Sequence, residues 1–302
     1  MPPTEMKVIT VADEFSKNPE LKEDDLQHLR EWVSKQPHLP NIPDDQLILF
    51  LHSCYYSLER AKKTIEASYT IRSLAPEMFS DRDPLKPELQ AVWKMTHIAS
   101  LPKRDPEGNK VIVVKLADTD PQKFNHADAT KVFLLAMDAS LREDGTVPGY
   151  HFIYDTAGLA MGHLARCNFT VLRKYMVYVQ EGLRIRMKSV NTINMSAVAD
   201  KVMGVVKPLM KKELMDHMYF YSTDLEPLYS RIPRSILPKD FGGEEATMAE
   251  LSEVLKAKVE ANRDWYIETE SWKSDESKRA GKSVSAGELF GVEGSFKKLD
   301  ID

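Results

Sequence analysis

The sequence predicts an α/β protein, with an N-terminal all-helical module followed by a domain built on a mostly parallel sheet. Three observations carry this. Before about residue 90, apolar residues recur only at helical spacing. From Val111 onward, short β-branched or aromatic runs alternate with longer helix-period stretches. The alternation then closes at Leu237-Pro238-Lys239-Asp240-Phe241-Gly242-Gly243-Glu244, where a proline fixes the chain on entry and two glycines permit a sharp turn.

The elements follow in order. Residues 1–20 are polar and proline-bearing and read as a loose end. From Leu21 to Gln36, Leu26, Leu29, Trp32 and Val33 lie on one helical face. Asp44 or Asp45 can cap a second helix through Leu47–Leu51, and Ser57 a third carrying Leu58, Ala61, Ile65 and Tyr69. These make a helical module over residues 21–90. The next unit spans residues 91–245. In it Val111–Val114, Tyr150–Asp155, Met187–Ile193 and Met218–Tyr221 read as strands, with helices over Lys131–Leu141, Phe169–Leu183 and Ala197–Val206. Pro208 ends or kinks the last of these, and Leu209–Asp216 can resume as helix. A C-terminal helix is expected within residues 246–270, over Thr247–Arg263, and residues 271–302 read as a mostly flexible tail. Its last stretch, Phe296-Lys297-Lys298-Leu299, is a candidate for docking back.

Composition narrows the function. The 302 residues are enough for one large domain or two smaller ones. A net charge of −5 argues against nucleic acid as a partner by charge alone. Cys54 and Cys167 are too few for a disulfide framework and read as thiols in a reducing compartment. The N-terminus lacks the basic and apolar regions of a secretion signal, and no apolar run approaches the roughly 20 residues that span a bilayer. A cytoplasmic protein is the simplest expectation.

Catalytic motifs are absent. Gly281-Lys282-Ser283 mimics the end of a phosphate loop, but it lacks the upstream glycine and the preceding strand. There is no metalloprotease helix, no Cys-x-x-Cys and no Gly-x-Ser-x-Gly elbow. No nucleophile with an adjacent base is visible, so no enzyme, no cofactor and no metal are expected. His151 reads as a core residue of its strand. Asp155 stands at a strand's C-terminal end, where open α/β sheets place ligands, yet it is also a good turn former before Thr156-Ala157-Gly158, and the turn reading outweighs the catalytic one.

What remains is apolar surface. Val198, Val202, Val205 and Val206 form a stripe on the helix Ala197–Val206, with Met203 beside it. The helix before it carries Phe169, Tyr175, Met176, Tyr178, Val179 and Leu183. Methionine adapts to irregular shapes, and tyrosine offers an apolar body with one polar tip. Such faces suit either an ordinary core or an elongated apolar ligand with one polar end.

Taken in order, several segments resemble the CRAL-TRIO lipid-binding family. They are the N-terminal helices, Phe50-Leu51 through Glu59-Arg60-Ala61, the Asp155-x-x-Gly158 turn, Ile185–Lys188 through Asn194, Val206-Lys207-Pro208, and the Leu237–Gly243 turn. The resemblance covers about residues 20–265 and is to the tocopherol-transfer and retinaldehyde-binding branch; the tail is similar to that of arthropod members. It implies a soluble lipid carrier with a pocket between the sheet and a movable gate helix at about 196–212. The pocket wall falls by this resemblance on Phe133, Ala136, Met137, Ser140, Phe152, Tyr154, Tyr175, Tyr178, Val179, Leu183, Met187 and Val190, and on Val202, Met203 and Val206 of the gate. The loop from Glu143 to Pro148 is shorter than the family pattern. The resemblance implies a small hydrophobic lipid as partner: a retinoid, tocopherol, carotenoid or other isoprenoid, or a phospholipid. It also implies transient contact with membranes through a phosphoinositide patch. Arg186 and Lys188 match two of its basic positions, whereas Cys54, Glu213 and His217 stand where cations are expected; Lys207, Lys211 and Lys212 can supply a displaced patch. Other readings are a lipid-sensing module that presents a surface to a protein partner, and, more remotely, an esterase on the same fold.

Overall fold

Apolar residues at helical spacing build the N-terminal module in the computed structural model, which describes Met6 and residues 8–291. Its helices are α1 (Val11–Lys17), α2 (Glu23–Ser34), α3 (Asp44–Ser53), α4 (Leu58–Leu74), α5 (Pro76–Phe79) and α6 (Pro87–Met95). Leu26, Leu29 and Val33 of α2 pack with Leu47, Ile48 and Leu51 of α3 and with Ala61, Ile65 and Tyr69 of α4 in one core. Ser57 stands at the N-cap of α4 as expected, without a side-chain capping bond, whereas Pro43 occupies the cap position of α3, so Asp44 and Asp45 fall in its first turn. Helix α1 lies in a segment the sequence leaves loose. It forms because Thr10 and Asp13 close a capping box and because buried Glu14 accepts the main-chain N–H of Thr146 at 2.8 Å. That partner is far away in sequence, so local propensity does not reveal it.

The sheet has the order β1-β2-β3-β4-β5. Strand β1 (Thr96–Ser100) pairs antiparallel with β2 (Lys110–Leu116); β3 (Tyr150–Asp155), β4 (Met187–Ile193) and β5 (Met218–Phe220) continue in parallel. The mostly parallel sheet is as expected, and β1 is an addition to it. Between the parallel strands run α7 (His126–Asp144), then α8 (Met161–Ala165) and α9 (Phe169–Val177), then α10 (Ala197–Val206) and α11 (Lys212–Met215). A π-helical turn, Tyr178–Gly182, extends α9, and a 3-10 turn, Lys207–Leu209, extends α10.

Side-chain alternation divides the sheet into two faces. Val111, Val113, Ile153 and Ile193 point to one face, which is sealed by α12 (Glu226–Tyr229) and the strap after it through Leu228, Ile232, Ile236, Leu237 and Phe241. The strap ends in the diglycine turn. Gly242 has φ +69°, and a Cβ on Gly243 would lie 1.9 Å from the carbonyl oxygen of Leu237, so the chain can fold back only with glycine there. Helix α13 (Met248–Ala261) covers the edge at β1, where Ser252 Oγ accepts the Ile98 N–H at 3.1 Å. Ile112, Phe152, Tyr154 and Val190 point to the opposite face, which α7 covers through Phe133, Met137 and Leu141.

After α14 (Arg263–Glu268) the chain returns to the helical module and ends in α15 (Ala286–Phe290). Residues 271–291, read from sequence as flexible, lie along α4 and α9. The N–H groups of Ser274 and Asp275 donate to the carbonyls of Tyr69 and His38, Arg279 pairs with Glu66, and Phe290 is buried beside Val171 and Tyr178. Polar composition concealed this because the contacts are scattered: two main-chain hydrogen bonds, the Arg279 side chain, and the apolar residues Trp272, Leu289 and Phe290. Phe296-Lys297-Lys298-Leu299 lies outside the described residues.

Candidate functional site

Strand β3 sets the floor of the site. Its alternation places Tyr150, Phe152 and Tyr154 side by side, with ring centroids 6.3 and 6.4 Å apart. Phe133 from α7 stands 6.2 Å from Phe152 and 6.3 Å from Tyr154, and Tyr175 from α9 meets Phe133 edge-on at 6.2 Å. Val190 lies opposite Phe152 in register, with Met137, Met187 and Met218 in the same cluster. The hydroxyls of Tyr154 and Tyr175 are paired. Burial pushes Tyr154 up to about 12 despite that bond, and burial together with Tyr154 pushes Tyr175 well above the usual phenol range. Phe133, Tyr154, Tyr175, Val179, Leu183 and Met187 nevertheless all retain accessible surface. Phe133, Phe152, Tyr154 and Tyr175 make an aromatic cluster on one face of the sheet. The wall is therefore apolar, with one paired polar spot.

The predicted wall residues do not all converge. Ala136 faces the other side of α7, among Val132, Leu135 and Leu255. Ser140 Oγ donates to the carbonyl of Ala136 at 3.3 Å, a bond within its own helix. Tyr178 turns toward α5, edge-on to Phe79 at 4.9 Å. Tyr178 stands seven residues, about two helical turns, after Val171 and shares its face of α9.

Helix α10, the expected gate, lies beside β5. Ser196 Oγ caps it by accepting the Ala199 N–H at 3.3 Å. Ala199 alone among its residues is buried; Val198, Val202, Met203, Val205 and Val206 are half-buried. The end of the helix is gripped by Gln180 of the π turn, whose Nε2 donates to the Leu209 carbonyl at 3.1 Å and whose Oε1 accepts the Lys211 N–H at 2.6 Å. A cleft of about 280 Å³ opens where α10 meets β5, lined by Met195, Asp200, Met203, Lys207, Phe220, Tyr221 and Ser222. It shares only Met203 with the predicted wall.

The basic candidates are largely engaged. Arg186 Nε donates to the His52 carbonyl at 2.7 Å, and its guanidinium covers the Tyr55 ring at 4.2 Å and the Tyr56 ring at 5.6 Å. Burial, then the Arg186 charge, pushes His52 down to about 3. Lys188 pairs with Glu107 at 2.6 Å and Lys211 pairs with Glu181. Lys207 lies over Phe220 at 5.2 Å, and Lys212 is exposed. The exposed lysine pairs are weak and exchangeable, whereas Arg186 is fixed by its carbonyl and two rings.

Sequence reading missed a buried chain under the strap. Ser189 Oγ donates to His151 Nδ1 at 2.6 Å, and His151 Nε2 donates to Asp105 Oδ2 at 3.1 Å. Asn191 Nδ2 donates to Ser189 Oγ at 2.7 Å, and the Tyr221 hydroxyl donates to Asn191 Oδ1 at 3.1 Å. The order serine, histidine, aspartate is that of a nucleophilic triad, but Ser189 is 0% exposed and His151 2%, so no acyl group can reach the oxygen. Burial holds His151 below the usual imidazole range in spite of Asp105. The signal was the register that sets His151 opposite Ser189, which appears only once β3 and β4 are paired. Asp155 serves its turn, Oδ1 accepting from Ala157 N–H and Asn194 Nδ2 at 2.9 and 2.7 Å. Among the described residues no group of three His, Cys, Asp or Glu side chains could hold a metal, and no helix is long and apolar enough to cross a membrane.

An N-terminal helical module beside an α/β domain, whose mostly parallel sheet carries an aromatic cluster on one face, defines the class. The chain belongs to the CRAL-TRIO superfamily, whose typical function is lipid binding and carriage: residues 94–243 match the CRAL/TRIO domain, and residues 18–89 match the Pinta-like, UBA domain. It is 27% identical over 244 residues to the alpha-tocopherol transfer protein-like protein of Homo sapiens, covering 80% of this chain and 70% of that one. It is 22% identical over 233 residues to Clavesin-2 of Rattus norvegicus, covering 76% and 71%. The crystal structure of Sfh5 superposes with a TM-score of 0.47 at 10% identity, over 85% of this chain and 97% of that one.

Proposed function

We propose that this protein is a carrier, not an enzyme, that holds one small isoprenoid-type lipid of the retinoid or tocopherol class and delivers it at membranes. The observation that carries the reading is the Tyr154–Tyr175 pair, one polar spot in an aromatic chamber. It matches a long apolar ligand with a single hydroxyl or carbonyl end. Phe133, Met137, Phe152, Val179, Leu183, Met187 and Val190 line the chain of the ligand, and Val202, Met203 and Val206 close over it. Similarity to an alpha-tocopherol transfer protein-like protein supports the ligand class. Each buried CH₂ contributes roughly 0.8 kcal/mol, so release needs the gate to open. At a bilayer the apolar face of α10 enters the interface, which offsets the cost of opening, and Lys207, Lys211, Lys212 and Lys188 draw it to anionic lipid, phosphoinositides included. The protein then works in the cytoplasm with transient visits to membranes. The arthropod type rests on the tail motif Phe296–Leu299 alone.

Transfer of a fluorescent tocopherol analogue between vesicles tests this. Val202→Asp with Val206→Asp should slow transfer at least about ten-fold, which corresponds to about 1.4 kcal/mol. Unchanged transfer removes α10 as the gate. The alternative is a lipid sensor that presents the helical module and its docked tail to a protein partner. Ligand-dependent capture of such a partner without lipid transfer would favour it.

A further inference from the structure

Asp138, on α7, is buried and faces three guanidinium groups. Arg82 donates to Oδ2 at 2.6 Å, Arg184 donates to Oδ1 at 2.9 Å, and Arg72 stands 3.6 Å from Oδ2. All three arginines are buried. They come from α4, from the loop between α5 and α6, and from the segment between the π turn and β4, so the cluster lies where the helical module meets the lipid domain. Aromatic rings support them: Phe79 under Arg72 at 4.8 Å, Tyr266 under Arg82 at 5.6 Å and Phe50 under Arg184 at 6.0 Å.

Three cations against one carboxylate leave a surplus of two positive charges. The nearest further acid, Glu270, accepts the main-chain N–H of Arg82 at 2.7 Å from a half-buried position and does not reach Arg72 or Arg184 through a hydrogen bond. The phenols of Tyr69 and Tyr178 lie beside both of those arginines, and Tyr69, held up to about 12 by burial, stays neutral. Four buried donor atoms in this cluster have no partner: Arg72 Nη1, Arg82 Nε, Arg184 Nε and Ser68 Oγ. Ser68 precedes Arg72 by one turn of α4 and shares its face. Uncompensated buried charge and unsatisfied donors are both strongly unfavourable, and together they describe a site that awaits a negative group.

We propose that Arg72, Arg184 and Ser68 form a buried binding site for a small anionic group of carboxylate or phosphate type, behind the lipid chamber. Leu183 belongs to the expected chamber wall and Arg184 is its neighbour in sequence, so the anion is either a free inorganic ion or the charged end of a bound lipid. The second source rests on the carrier reading; the first does not.

The test is thermal unfolding and calorimetric titration of the full chain at constant ionic strength with inorganic phosphate, and separately with oleate and with oleyl alcohol. Saturable, one-to-one phosphate binding that raises the melting temperature, and that weakens at least ten-fold in Arg184→Met, establishes a free-ion site. Ser68→Ala, a milder change, should weaken it in the same direction and stands in if Arg184→Met does not fold. Preference for oleate over oleyl alcohol in the wild type, lost in either variant, assigns the anion to the lipid. Phosphate that does not bind together with oleate that is not preferred overturns the proposal, and so do equal effects in wild type and variants. If neither lipid binds, the lipid source of the anion is ruled out while the phosphate titration still decides the site.

Discussion

Tyr154→Phe and Tyr175→Phe, singly and together, test the chamber's polar spot in the absence of any ligand. In the native protein each hydroxyl has the other as partner, deep in an apolar wall where burial already forces both phenols up. Removing one hydroxyl leaves the other desolvated, which costs about 1–3 kcal/mol. Removing both eliminates the unsatisfied group, so the double variant should return to within about 1 kcal/mol of the wild type. The coupling is therefore strongly non-additive, read from urea unfolding of the four proteins of the cycle. The same proteins should separate ligands: the double variant loses affinity for a lipid alcohol by about ten-fold or more, as expected for a lost hydrogen bond of about 1.5 kcal/mol, and keeps its affinity for the matching hydrocarbon. Additive single-variant costs in unfolding would mean that the two hydroxyls are independently solvated, and the enclosed chamber would be wrong.

Other outcomes follow from the same geometry. Gly243→Ala should destabilise the fold by roughly 2 kcal/mol or more in denaturant, because its Cβ would meet the Leu237 carbonyl oxygen at 1.9 Å, a backbone atom that cannot step aside. Phe290→Ala should cost about 3–5 kcal/mol, since Phe290 is 1% exposed among Ile71, Val171 and Tyr178; a cost near zero would show that the tail does not dock in solution. Alkaline titration carries a definite sign. Tyr69 and Tyr154 are both raised to about 12, above the unfolded value of about 10, so the unfolded chain loses these protons first. Their stabilising effect is complete below about pH 10 and is lost as pH climbs to about 12, measurable as a falling unfolding midpoint that Tyr154→Phe makes shallower.

The sequence displayed some parts of this molecule better than others, for physical reasons. Strands Tyr150–Asp155 and Met187–Ile193 and helix Ala197–Val206 have the bounds their patterns suggest. The strands are dominated by buried residues, and the helix carries its own cap at Ser196. Strand Thr96–Ser100 is short and begins and ends on a hydroxyl residue, and it becomes a strand through its pairing with Lys110–Leu116. Helix α1 and residues 271–291 are ordered by partners more than a hundred residues away. In the site, Phe133, Phe152, Tyr154 and Tyr175 were grouped by the family resemblance, and their rings lie in one cluster. Tyr178 was grouped with them but lies on the Val171 face of α9, against Phe79 of α5. The Ser189–His151–Asp105 chain and the arginines around Asp138 were invisible because each joins residues from separate elements, and no spacing rule spans such distances.

The clasping of both chain segments onto the helical module bears on how the molecule can move. Glu14 ties α1 to the turn after α7, Arg279 and Phe290 tie the tail to α4 and α9, and Asp138 joins α4, the α5–α6 loop and the segment before β4. Separating module from domain means breaking all of these at once, so the two behave as one frame. Helix α10 has one buried residue and a single glutamine at its hinge. Thermal opening is therefore concentrated in about ten residues on a stiff background, as a door set in a wall. Hydrogen exchange in α10 should then run far ahead of exchange in β3 and β4, whose amides wait for global unfolding.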